Sequence, residues 1–224
     1  MDAKWRILAL LLLSVPQSPE GVVRGRVTIL EKGNTPSPDL GDAVVYLERE
    51  GGAPAPPRSQ TFEIATSDKA FVPRVTVVPL GATVQFANHD PFEHNVFSAS
   101  EPNPFDLGRY GRGEAKGHTF TSPGLVRVFC NIHPRMVAFV QVMATRYYTQ
   151  PAADGSFAIA GVPPGRYTLH VWHDRSSQVA RDVVVGPNGI GDVAIELDAR
   201  GFHWVPHKNK YGKDYPTNAG RERY

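Results

Sequence analysis

Sulfur is scarce in this 224-residue chain, and no charge of either sign dominates it. Cys130 is the single cysteine, so an internal disulfide is excluded. Beyond the initiator there are two methionines, Met136 and Met143. The formal net charge of +2 is too small to argue for nucleic acid or an anionic membrane as a partner. No apolar run approaches the ~20 residues that span a bilayer. The longest, Ile7 to Val15, is interrupted by Ser14 and preceded by Lys4 and Arg6. Residues 1–20 therefore read as an export signal peptide, although no small-residue pair marks its cut site. No cysteine follows the run, so a lipid anchor is not expected. The mature chain is expected to be periplasmic or otherwise extracytoplasmic, with no membrane span. No amphipathic helix of ordinary length is legible. Instead, 21 Gly and 20 Pro punctuate short β-branched runs, which reads as an all-β fold.

What is present is concentrated in residues 129–136, Phe-Cys-Asn-Ile-His-Pro-Arg-Met. Cys130, His133 and Met136 recur every third residue, placing thiolate, imidazole and thioether on one short loop. Taken singly, a lone cysteine reads as a small buried hydrophobe and His-Pro-Arg-Met as an ordinary turn. Taken together they are ligands suited to copper. Two histidines and a cysteine in a trigonal plane with a weak axial methionine form a blue-copper electron-transfer site. The second histidine would be His94, in Phe-Glu-His-Asn-Val-Phe (92–97). An unpaired cysteine in an exported chain calls for an explanation, and metal ligation supplies one.

This loop resembles the cupredoxins, and its Cys-x-x-His-x-x-Met spacing is most similar to the amicyanin branch, with plastocyanin a longer-looped relative. Phe71–Val77 and Gly81–Asn88 resemble the family's approach to its first histidine, so the likeness covers roughly residues 61–144. It implies a Greek-key β-sandwich and one type 1 copper ion on His94, Cys130, His133 and Met136. It also implies that Asn95 bonds across to the cysteine loop. The family's usual Ser or Thr after the cysteine is replaced by Asn131, and Pro134 stiffens the loop. By the same resemblance His133 would be the electron port, ringed by Pro91, Phe92, Pro134 and Arg135.

The flanks resemble a second family. Asp-Gly-Ser-Phe (154–157) and Pro-Pro-Gly-Arg-Tyr-Thr-Leu (163–169) are similar to carboxypeptidase regulatory-like modules, small transthyretin-like β-sandwiches. Their usual opening strands match Gly-Arg-Val (25–27) and Ala-Val-Val (43–45), ahead of the copper segment. Left alone, those strands would lack a core, and an isolated hairpin is marginal in water. The expected order is thus a first sandwich part (21–52), a Pro-rich linker (53–60), an inserted copper domain (61–145), a second sandwich part (146–198) and a polar, basic, aromatic tail (199–224). The tail is expected to pack loosely.

The resemblance implies an exported carrier of single electrons between redox proteins, a dehydrogenase or a cytochrome among them. The chain is expected to be a monomer and not itself an enzyme. No nucleophile–base set is visible, and a dinuclear thiolate copper site would need two cysteines. The alternative is a copper-binding module for storage, delivery or sensing, which would not need to cycle its metal.

Overall fold

The computed structural model describes residues 20–216. The expected signal segment, apart from Glu20, and tail residues 217–224 lie outside the described residues. Among those described, the one helical element is a 3-10 turn at Leu40–Asp42. The rest is strand and connection. The chain opens with β1 (Gly21–Glu31), β2 (Thr35–Pro36) and β3 (Val44–Arg49). Its middle holds β4 (Thr61–Ser67), β5 (Ala70–Val72), β6 (Val75–Pro79), β7 (Thr83–Asn88) and β8 (His94–Ser98). There follow β9 (Phe105–Tyr110), β10 (Ala115–Thr119), β11 (Gly124–Cys130) and β12 (Val137–Met143). It closes with β13 (Tyr148–Thr149), β14 (Ser156–Val162), β15 (Gly165–Trp172), β16 (Val179–Val185) and β17 (Gly189–Asp198).

Four sheets result. Sheet A is β14-β1-β17 with β2 beside β1, and sheet B is β13-β3-β15-β16. Sheet C is β10-β7-β4-β5, and sheet D is β6-β12-β11-β8-β9. β1 pairs with β14 and, in parallel, with β17, while β3 pairs with β13 and β15. Strands from the two ends of the chain thus share sheets, and β4–β12 form the other two sheets between them in sequence.

Burial patterns explain the layering. In β17, Val193, Ile195 and Leu197 are buried between exposed neighbours, the period-2 signature of a sheet with one wet face. Together with Val27 and Ile29 of β1 they meet Val45, Leu47, Leu169 and Val171 of sheet B in one apolar core. A second core lies between sheets C and D, with Ile64, Val84 and Phe86 facing Val96, Val128 and Val140. β3 does not alternate, because Val44, Val45, Tyr46 and Leu47 are all buried. Val45 and Leu47 enter the first core, whereas Val44 and Tyr46 pack with Val75, Phe139, Met143 and Trp172. The backs of sheets B and D therefore meet, giving four layers in the order A, B, D, C. Arg74, just before β6, fastens the same junction: its guanidinium bonds Asp174 and Asp42 and lies over the Phe139 ring.

The strand matched by Ala-Val-Val (43–45) begins at Val44, one residue into that match. Asp42 and Ala43 instead donate to the carbonyls of Asp39 and Leu40, closing the 3-10 turn. The Asp-Gly turn before β14 requires its glycine. Gly155 has φ +82°, and an added Cβ would lie 2.2 Å from the Val27 carbonyl oxygen.

Candidate metal centre

Strand ends and register bring the donors together. His94 opens β8, Cys130 closes β11, and Met136 stands one residue before β12. β8 and β11 are antiparallel neighbours with Cys130 opposite Val96. Side chains two apart on a strand share a face, so His94, Val96 and Cys130 all point into the core between sheets C and D. The loop back to β12 is closed by Met136 N–H donating to the His133 carbonyl at 3.1 Å, with Pro134 between them. This turn returns His133 to the thiol.

His94, Cys130 and His133 converge. The Cys130 Sγ lies 3.6 Å from His94 Nδ1 and 3.5 Å from His133 Nδ1, and the two nitrogens are 3.2 Å apart. Metal bonds of about 2.0 Å to imidazole and about 2.3 Å to thiolate, set about 120° apart, place donors about 3.5–3.7 Å from one another. The triangle fits a trigonal metal ion. All three side chains are buried, and so is Met136, which belongs to the same apolar cluster as Cys130. Among the described residues, no other group of three such donors converges.

The surroundings prepare the donors. His94 Nε2 lies 2.8 Å from Asp90 Oδ2. A carboxylate partner fixes the proton on Nε2, so Nδ1 presents a lone pair to the site. Asp90 is itself buried and held by the N–H groups of Asp68 and Lys69 at 2.7 and 3.2 Å. Burial lowers the His94 pKa against the opposing pull of Asp90, favouring the neutral imidazole that a metal needs. Burial raises the Cys130 pKa, while backbone N–H groups of Asn95, Ile132 and His133 aimed at the sulfur oppose the rise. Those same amides would stabilise a thiolate once a cation displaces its proton.

Several residues behave differently from expectation. The Asn95 side chain does not reach the cysteine loop; its Nδ2 donates to Asp106 Oδ1 at 2.6 Å. The tie between the loops is made by backbone instead, Asn131 N–H donating to the Asn95 carbonyl at 2.8 Å. Asn131 Oδ1 accepts from the Lys210 backbone N–H at 3.0 Å. The tail is therefore not loose against this loop. His133 is 4% exposed, and the Phe92 ring lies 5.3 Å from it. Of the expected rim, Pro91 and Arg135 are exposed and Phe92 and Pro134 half-buried.

Sequence reasoning missed Asp90, Asp106 and Tyr215. Asp90 stands four residues before His94, but in a loop that spacing has no fixed geometry. His207, in the tail, stacks on Phe129.

No family model and no curated protein matches this chain. Among solved structures it is similar to a copper-containing nitrite reductase (NirK) from Thermus scotoductus SA-01, at 30% identity and TM-score 0.37. That match covers 38% of this chain and 23% of the reductase, so the chain spans less than a quarter of that protein. It is also similar to a reduced amicyanin mutant, at 22% identity and TM-score 0.35, covering 37% of this chain and 81% of the other. A purple cupredoxin from Nitrosopumilus maritimus matches at 25% identity and TM-score 0.33, covering 36% and 98%. All three likenesses have TM-scores below 0.5 and cover less than two fifths of this chain.

Proposed function

We propose that this chain is an exported type 1 copper protein that carries single electrons between redox proteins outside the cytoplasm. The observation that carries the reading is the buried triangle of His94 Nδ1, Cys130 Sγ and His133 Nδ1 at trigonal spacing. Met136 is the axial ligand in this reading, supported by its burial beside Cys130 and its place in the closing turn. One bound copper ion would supply a one-electron couple. The protein's part is to hold the donors in one geometry on strand ends, so that little rearranges when the charge changes. The copper unit, residues 61–145, interrupts a regulatory-like sandwich built from 21–52 and 146–198. The pairing of β1 with β14 and β17, and of β3 with β13 and β15, supports that division.

The test is the visible and electron paramagnetic resonance spectrum of the copper-loaded protein. An intense thiolate-to-copper band is expected, and it should survive repeated reduction and reoxidation without metal loss. A copper-loaded protein with no such band overturns the assignment. Release of copper on cycling would point to delivery rather than electron transfer.

A further inference from the structure

The segment beyond β17 is fastened to the cysteine loop at three successive residues. His207 stacks on the Phe129 ring, with centroids 4.1 Å apart and planes 22° from parallel. Tyr215 Oη donates to the Cys130 carbonyl at 2.7 Å. The Lys210 N–H donates to Asn131 Oδ1, and the Lys210 ammonium lies 2.7 Å from Asp106 Oδ2, whose other oxygen holds Asn95. Tyr215 also packs edge-on against His207, with centroids 5.2 Å apart. The segment thus grips the residues before, at and after Cys130 and reaches, through Asp106, the residue after His94.

Burial of its own apolar side chains does not explain this placement. Phe202, Trp204, Val205 and Tyr211 are four of the six large hydrophobic residues exposed among the described residues. What holds the segment at the loop is directed contact. The Cys130 carbonyl stands at the end of β11, where strand pairing ends, and a buried carbonyl needs a donor. Tyr215 supplies it.

We propose that this segment is part of the metal centre and that Tyr215 is a positioning residue, fixing the peptide that carries the Cys130 sulfur. This rests on the copper reading above, because it supposes that the orientation of the sulfur is what the contact serves. A hydroxyl bonded to the ligand's own carbonyl restrains rotation of that peptide without touching any donor atom. Its loss frees the loop and leaves a poorly satisfied carbonyl.

The test uses the full chain with Tyr215→Phe, and Tyr211→Phe as the matched control on the exposed side of the same segment. In metal-free protein, the rate at which iodoacetamide alkylates Cys130 reads the freedom of the loop. In copper-loaded protein, the energy of the thiolate-to-copper band and the rate of Cu(I) transfer to a chelator read the centre. Tyr215→Phe is expected to speed alkylation and copper transfer about five- to tenfold, the worth of one such hydrogen bond, and to shift the band. Tyr211→Phe should leave all three unchanged. His207→Ala removes the stack on Phe129, spares both cores, and should move the readouts in the same direction. Tyr215→Phe protein that matches wild type throughout overturns the inference, as does a Tyr211→Phe effect of equal size. If wild type lacks the band, the copper reading fails, while the alkylation rates still decide whether Tyr215 holds the loop.

Discussion

The two sandwiches are built alike but filled differently. Between sheets A and B the buried cluster, from Val23 through Ala199, is apolar but for the Tyr167 hydroxyl, which donates to the Pro163 carbonyl. Between sheets C and D the apolar core gives way at one end to Thr66, Asn88, Asp90, His94, Asn95 and His133, all buried. Burying polar groups is costly unless they are hydrogen-bonded, and here they are bonded to one another and to backbone. Thr66 bonds Asn88, whose amide reaches the Phe92 and Tyr110 carbonyls; Asn88 also receives the Asp90 N–H, and Asp90 holds His94. The sandwich of sheets C and D uses the same architecture to direct three donor atoms at one point.

The sharpest test of that contrast pairs one substitution in each sandwich. Cys130→Ser should abolish the visible band of copper-loaded protein altogether, because the thiolate is its source. Leu169→Ala, in the apolar core between sheets A and B, should cost about 2–5 kcal/mol of stability through lost contacts and a cavity. The band should nevertheless be unchanged at temperatures where the variant is folded. Chemical denaturation and an absorption spectrum measure both. Loss of the band in folded Leu169→Ala protein would mean that the two sandwiches are not separable in function.

Much of the fold could be read in advance because β-strands advertise themselves through periodicity and turns. The Asp-Gly turn at 154–155 stands before β14, and Pro-Pro-Gly (163–165) stands between β14 and the body of β15. That Val44–Leu47 is buried on both faces became visible only in the structure. Three of the four expected donors, His94, Cys130 and His133, could be singled out by residue type, and these three lie together. What supports them could not. Asp90, Asp106 and Tyr215 act through contacts across loops, and nothing in local spacing encodes such contacts. Nor could composition reveal that the tail lies against Asn131, since its exposed aromatics read as a loosely packed segment.

A smaller effect should follow from loosening one candidate donor, His94, in place. Asp90→Ala removes the carboxylate beside His94 Nε2 and leaves the Asp68 and Lys69 amides without their acceptor. Carboxylate partners of ligand histidines typically contribute 10–100-fold to metal affinity. Copper binding measured by competition should weaken by about that factor, with Asp90→Asn recovering part of it. A comparable loss from a substitution in the apolar core between sheets A and B would erase the distinction between the two sandwiches.

The smallest effect concerns the seam where they meet. His173, just past β15, has no exposed surface, and its Nε2 lacks a hydrogen-bond partner. Asp174 lies 3.6 Å from its Nδ1 and Asp39 3.8 Å from its Nε2, and the guanidiniums of Arg74 and Arg175 stand among the same carboxylates. Burial lowers its pKa; Asp174 and Asp39 oppose the change, and Arg175 and Arg74 add to it. The folded protein therefore prefers neutral His173, while the unfolded chain takes up a proton near pH 6.5. The resulting stability is complete above about pH 6.5 and is lost as pH falls toward the lower folded value, at no more than about 1.4 kcal/mol per pH unit. His94, His118 and His207 are shifted in the same direction, so wild type alone would mix the four contributions. The difference between wild type and His173→Gln isolates the seam. Between about pH 8 and pH 5 the wild-type denaturation midpoint should fall relative to the variant's as acid is added, since only wild type carries the extra dependence. Parallel curves would show that His173 does not couple the seam to pH.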